Sequence, residues 1–157
     1  MNTAEDKSGV RIFPPLIYLA AIGLGLLIQM VMPVRLGPQW HGTRLALGSV
    51  LVAIPIAIVV WAVTLFRSAG TTPNPAQPTT ALVFSGPYRF TRNPMYVAWV
   101  FLCVGVALLA NNVWVAVMAL PAALVTQKVV IEKEEAYLTR KFGDDYRAYL
   151  GRVRRWL

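Results

Sequence analysis

Thr79-Thr-Ala-Leu-Val-Phe-Ser-Gly-Pro-Tyr-Arg-Phe-Thr-Arg-Asn-Pro-Met-Tyr96 is a polar knot set into an otherwise apolar chain. Its punctuation fixes where one helix starts. Gly86-Pro87 marks a turn, since glycine admits positive φ and proline holds φ near about −65°. Pro94 suits the first turn of a helix, where its missing N–H is not required. Arg92 and Asn93 therefore fall at a helix mouth whose free N–H groups point toward a ligand. Tyr88, Arg89 and Tyr96 gather beside them. The knot is a candidate site.

Outward from the knot the chain is built of long apolar runs. Of its 157 residues, 57% are hydrophobic and 14% charged, where a soluble domain carries about a quarter charged. Sorted by the roughly 20 residues that a bilayer crossing requires, the runs predict an all-α polytopic membrane protein of one domain, residues 1–157. Its four transmembrane helices lie at about 13–32, 45–66, 94–110 and 113–131, with amphipathic cytoplasmic helices over about 132–155. Pro14 and Pro15 fit the first turn of span one. The acidic residues Glu5 and Asp6 before it, and the length of the run, speak against a cleaved signal peptide. Trp40 reads as an interfacial anchor. Pro55 predicts a kink in span two. Span three is short for a full crossing and starts within the headgroup layer. Asn111-Asn112 is so short a link that spans three and four form an antiparallel hairpin. Gly143 suits a helix stop and Asp144 the next N-cap.

Charge placement orients the spans. Lys7, Arg11, Arg67, Arg89, Arg92 and every basic residue from Lys128 onward share one side, and only Arg35 and Arg44 fall on the other. The positive-inside rule makes the first side cytoplasmic, with both termini, in a bacterial-type inner (plasma) membrane. The formal charge of +8 sits beside apolar spans rather than on a soluble basic fold, which argues against nucleic acid. A single Cys103 excludes an internal disulfide, and one histidine, His41, leaves little for a metal site.

Between the second span and the knot, Arg67–Thr80 holds Pro73, Pro75 and Pro78. It reads as an ordered loop, either a passive linker or a wall over a pocket. Beyond the fourth span, Ile131, Glu135, Leu138 and Phe142 form one helical stripe, apolar except at Glu135. A carboxylate there needs a partner, either Arg92 or Arg152 or a cationic ligand. Glu134 points elsewhere, toward Tyr137 and Lys141. Arg147, Arg154 and Arg155 read as contacts to anionic headgroups, while Arg152 is the arginine free to turn inward.

Ser85–Tyr96, the helical hairpin, Glu134-Glu135 and Phe142-Gly-Asp-Asp-Tyr-Arg-Ala-Tyr149 with Arg152-Val153 together resemble the isoprenylcysteine carboxyl methyltransferase family of integral membrane enzymes. That superfamily also includes phospholipid N-methyltransferases, and Asn93-Pro-Met-Tyr96 is similar to their form of the motif. The resemblance covers about residues 64–155. It implies S-adenosylmethionine as methyl donor, S-adenosylhomocysteine as product, and a lipophilic acceptor drawn from membrane lipids. It implies that Tyr88, Asn93, Tyr96, Glu134 and Glu135 line the cofactor pocket and that Arg92 and Arg152 serve activity. Prenylcysteine enzymes usually carry histidine at Asn93, so no acid–base role falls there. A non-catalytic lipid-binding scaffold is the competing reading, separated by cofactor binding.

Overall fold

The computed structural model describes residues 6–37 and 41–157; Trp40, the expected anchor, lies outside them. Five helices carry the described chain: α1 (Pro14–Val31), α2 (His41–Ser68), α3 (Pro94–Ala110), α4 (Val113–Thr126) and α5 (Glu132–Arg152). A short 3-10 turn, Gly86–Arg89, precedes α3, and a π-helical turn, Gln127–Ile131, joins α4 to α5. Among the described residues there is no β-strand, only a single parallel bridge between Thr91 and Arg154.

Three helical runs are long and apolar enough to cross a membrane: α1, α2 and the continuous stretch Val113–Arg152. With 17 residues, α3 falls short of that length; at about 1.5 Å per residue it reaches roughly 26 Å of a hydrocarbon core of about 30 Å. Many outward leucines, isoleucines and valines of α1 and α2 are exposed, as expected where hydrocarbon is the solvent.

Local chemistry explains the boundaries. Pro14 and Pro15 open α1 and Pro94 opens α3 without losing a ladder bond. Asn111 closes α3 in the left-handed conformation, φ 52°. Asn112 then caps α4, its side-chain oxygen accepting from the N–H groups of Trp114 and Val115. These two residues make the expected hairpin. The expected separation of a span ending at 131 from helices starting at 132 is absent. No glycine or proline lies between Ala122 and Phe142, so the helix continues through the π turn. Gly143 breaks it, at φ 55° and ψ −125°, a conformation that a Cβ would strain. The last helix ends at Arg152 rather than 155, and the chain beyond is extended.

Packing follows small residues. α3 lies between α2 and α4, and α1 packs on α4. A Cβ on Gly25 of α1 would lie 2.7 Å from the Val115 backbone, and one on Gly105 of α3 would lie 2.8 Å from the Leu51 carbonyl. Such close approach gives membrane helices their dispersion contacts, since apolar burial alone gains little there. Tyr18, Cys103, Ala119 and Ala122 form the buried centre. At the far end of α3, buried Arg44 donates to the carbonyls of Leu108 and Leu109, matching a cation to a helix C-terminus.

Candidate active site

At the opposite end, the start of α3, the 3-10 turn and α5 converge on a cavity of ≈100 Å³. The π turn delivers α5 to this place. Such insertions into a helix often mark functional sites.

Two adjacent glutamates face the cavity and differ in what meets them. Glu135 is paired twice: the Arg155 guanidinium donates from Nε at 3.1 Å and from Nη2 at 2.6 Å, and Arg92 Nη1 lies 3.4 Å away. That contact holds the Arg155 pKa above its ordinary range. Glu134 is met by a neutral group. The Tyr96 hydroxyl donates to it, 3.0 and 3.2 Å from its two oxygens. Among the described residues no cation pairs with Glu134. Burial pushes its carboxyl up to about 7; the Glu135 charge adds to the rise, and the Tyr96 bond opposes it.

The corner Thr91–Asn93 is held by the end of the chain. Arg92 N–H donates to the Arg154 carbonyl at 2.9 Å. The Arg155 carbonyl accepts from Asn93 Nδ2 at 2.9 Å and from Thr91 Oγ1 at 3.2 Å. Arg92 Nε is buried without a partner. Tyr149 donates to the Tyr88 carbonyl at 2.7 Å, and burial raises the pKa of the Tyr88 phenol.

The roof comes from two further segments. Thr72, Pro73 and Pro75 of the proline-rich loop line the cavity, as does Ser8, so this loop is a wall. Ser8 Oγ donates to the Pro75 carbonyl at 2.5 Å. Tyr137 ties roof to floor: its hydroxyl accepts from Thr79 N–H at 3.1 Å and donates to Asp6 Oδ1 at 3.0 Å. Lys141 completes the knot through an ion pair with Asp6.

Tyr88, Arg92, Asn93, Tyr96, Glu134 and Glu135 therefore border one cavity. Arg152 does not join them. It is exposed, with Nε donating to the Ala148 carbonyl, so it does not turn inward as anticipated; Arg155 takes that place. The helix ends at Arg152, and the extended backbone after it redirects Arg155 onto Glu135, away from the headgroup contact expected of it. Glu134 borders the cavity, as the resemblance implied, although helical spacing alone had pointed it elsewhere. It does share a face with Tyr137 and Lys141, but the proline-rich loop and residues 6–10 cover that face and turn it into cavity wall. Helical periodicity carries no signal for Arg155, because the residue is not helical. The buried Tyr137 gave a weak one, as an aromatic beside a carboxylate.

Among the described residues no group of three or more His, Cys, Asp or Glu is placed to hold a metal ion. Comparison with known proteins gives two findings. A family model described as phospholipid methyltransferase matches residues 43–145. A Haemophilus influenzae protein, described as uncharacterized, is 56% identical over 34 residues. That match covers 22% of this chain and 54% of the relative, so the chain spans about half the length of the curated relative it matches.

Proposed function

The chain belongs to the phospholipid methyltransferase family, and from that premise we propose that it transfers a methyl group from S-adenosylmethionine to a lipophilic acceptor at the cytoplasmic face of the inner membrane. In this reading residues 1–157 act as one domain with four spans, α3 crossing with its start in the headgroup layer, and both termini are cytoplasmic. The observation that carries it is Glu134: a half-buried carboxylate on the cavity wall, met by one phenol and paired with no cation among the described residues. An under-neutralised anion of this kind favours a cationic ligand.

The residues present fit the cofactor. Glu134 would hold its ammonium or sulfonium end, with the Tyr96 hydroxyl fixing the carboxylate's orientation. Tyr88 and Asn93 would border it. Glu135, neutralised by Arg155, keeps Arg92 aimed at the cavity, where the partnerless Nε is available to a carboxylate of the cofactor or acceptor. When bound, the cofactor supplies an electrophilic methyl group and a neutral leaving group. What the protein adds is alignment and charge placement, with no strong acid required. Arg152, exposed outside the cavity, suits an incoming anionic headgroup. A volume of ≈100 Å³ is below the roughly 300 Å³ of most ligand pockets, so admitting the cofactor moves the proline-rich wall outward.

Two acceptors fit the site. Carboxyl O-methylation of a prenylated thiol uses Arg92 to orient the acid. N-methylation of an aminophospholipid is favoured by the family description and by Asn93, whose amide is held by the Arg155 carbonyl and does not titrate. Labelled cofactor added to membranes separates them, because an ester product is base-labile and a methylamine is not. Calorimetry on purified protein tests the shared premise. Saturable binding of S-adenosylhomocysteine is expected, and its absence would leave the lipid-binding scaffold.

A further inference from the structure

The roof over the cavity is made of two unlike pieces. Loop 71–80 is bonded within itself. Asn74 N–H donates to Thr72 Oγ1 at 3.1 Å, Ala76 N–H to Asn74 Oδ1 at 3.0 Å and Gln77 N–H to the Asn74 carbonyl at 3.0 Å. The two ends of the loop are pinned to each other: Thr80 N–H donates to Thr71 Oγ1 at 3.0 Å, and Thr80 Oγ1 to the Gly70 carbonyl at 2.9 Å. Pro73, Pro75 and Pro78 fix three of its φ angles. A short loop with closed ends and bonds of its own moves as one body. Residues 6–10 are fixed to the rest of the protein instead. Val10 is buried among Tyr96, Val130 and Ile131, and Asp6 meets Tyr137 and Lys141 of α5. Ser8 lies buried between those anchors. This segment is a sill.

Little joins the loop to the sill and to α5. Among the described residues two hydrogen bonds do so: Ser8 Oγ donates to the Pro75 carbonyl at 2.5 Å, and Thr79 N–H donates to the Tyr137 hydroxyl at 3.1 Å. The loop also has a pivot on each side. Gly70 follows the end of α2 at φ 68°, and a Cβ there would meet nothing within 4 Å, so its backbone can turn without a clash. After Thr80, residues 81–84 are irregular and enter no backbone–backbone hydrogen bond among those described. A rigid piece on two soft pivots, held by two bonds, opens at small cost.

We propose that loop 71–80 is the gate by which the methyl donor enters and its product leaves, swinging off the Asp6–Val10 sill, with Ser8 and Tyr137 as the latch. The proposal rests on the methyl-transfer reading and adds which piece moves, which stays and what sets the rate. Thr72, Pro73, Asn74, Pro75 and Thr79 of the loop line the cavity, so the swing unroofs it along one side. Val10 and the Asp6 contacts stay in place, which keeps Tyr137 ready to receive Thr79 again. The sill lies outside the 43–145 stretch matched by the family model, so the Ser8 half of the latch is a feature of this chain beyond that match.

The test uses the full chain in phosphatidylcholine nanodiscs with labelled S-adenosylhomocysteine. Lys7 and Ala76 are exposed positions on sill and loop. In Lys7→Cys/Ala76→Cys a short reducible bis-thiosulfonate ties the gate shut, while Cys103 is buried out of its reach. Tied before loading, the protein should take up no ligand until it is reduced; tied after loading, it should keep its ligand until reduced. Ser8→Ala removes one half of the latch and leaves both anchors of the sill. Association and dissociation should quicken together by about fivefold, the scale of one hydrogen bond, and so should hydrogen exchange at Thr79 N–H with no ligand present. Uptake by the tied protein at the untied rate overturns the proposal. So does a Ser8→Ala variant in which dissociation alone quickens, since Ser8 would then be a ligand contact, or one in which Thr79 exchange is unchanged. Failure of the unaltered protein to bind S-adenosylhomocysteine would overturn the methyl-transfer reading instead, and Thr79 exchange would still decide whether the loop swings.

Discussion

Each end of the helical bundle places an arginine and an asparagine beside a helix terminus, and the two ends differ in what their polar groups are left to do. At the far end, Asn112 is 2% exposed and fully engaged: it accepts from Trp114 and Val115 N–H and donates to the Gly25 carbonyl. Arg44 beside it donates to two carbonyls of α3. Those groups finish helices. At the near end, Arg92 and Asn93 are held by the extended backbone after α5, but Glu134 has only a phenol among the described residues. Polarity in an apolar protein thus does not mark a site by itself. Glu134 marks one because it lies on a cavity wall where a cation can reach it; Arg44, also without a carboxylate partner among the described residues, is met by two helix-terminal carbonyls instead.

The sharpest way to break this distinction is Glu134→Gln, which keeps shape and removes charge. S-adenosylmethionine affinity by calorimetry is expected to fall about thirtyfold, the scale of one charged hydrogen bond. Asn112→Ala should leave that affinity alone, and equal losses would erase the difference between the ends. The carboxyl also has a pH signature. Its folded value of about 7 lies above the ordinary 4.5, so its contribution to stability is full below about 4.5 and is lost as pH rises through about 7. Binding of the cation should strengthen across the same window, and Glu134→Gln should flatten both curves in thermal melts and titrations.

Next in size is Arg155→Ala, which leaves Glu135 to Arg92 alone and draws that arginine from the cavity. Turnover in reconstituted vesicles should drop about tenfold, in line with losing a bidentate pair, while Arg152→Ala changes it little. The reverse order would return the inward role to Arg152. Asn112→Ala is a stability change only, lowering unfolding free energy by about 1 kcal/mol for a lost cap, measured in denaturant. Asp6→Asn loosens the roof. Since solvent screens this ion pair, release of S-adenosylhomocysteine should quicken only a few-fold in stopped flow, and high salt should mimic it.

Much of the helical framework was legible because its signals are local. Run length predicted α1, α2 and α4, Pro94 the start of α3, Asn111-Asn112 the hairpin, and Gly143 the break in α5. The knot at Tyr88–Tyr96 and the glutamate pair were legible as chemistry. What escaped depends on partners far along the chain. Whether Glu134 faces water or a cavity turns on segments 6–10 and 72–79 folding over it, and no pattern around Glu134 records that. The inward turn of Arg155 depends on where α5 stops and on a bridge to Thr91, more than sixty residues earlier.

That bridge has a consequence for how the protein is made. Arg92 and Asn93 rest on carbonyls of Arg154 and Arg155, so their corner cannot be completed until residues beyond α5 have left the ribosome. By then α1 to α5 have been synthesised. Synthesis from the N-terminus therefore puts membrane insertion first and assembly of the reactive corner last, and a nascent chain still being threaded into the bilayer holds no finished pocket.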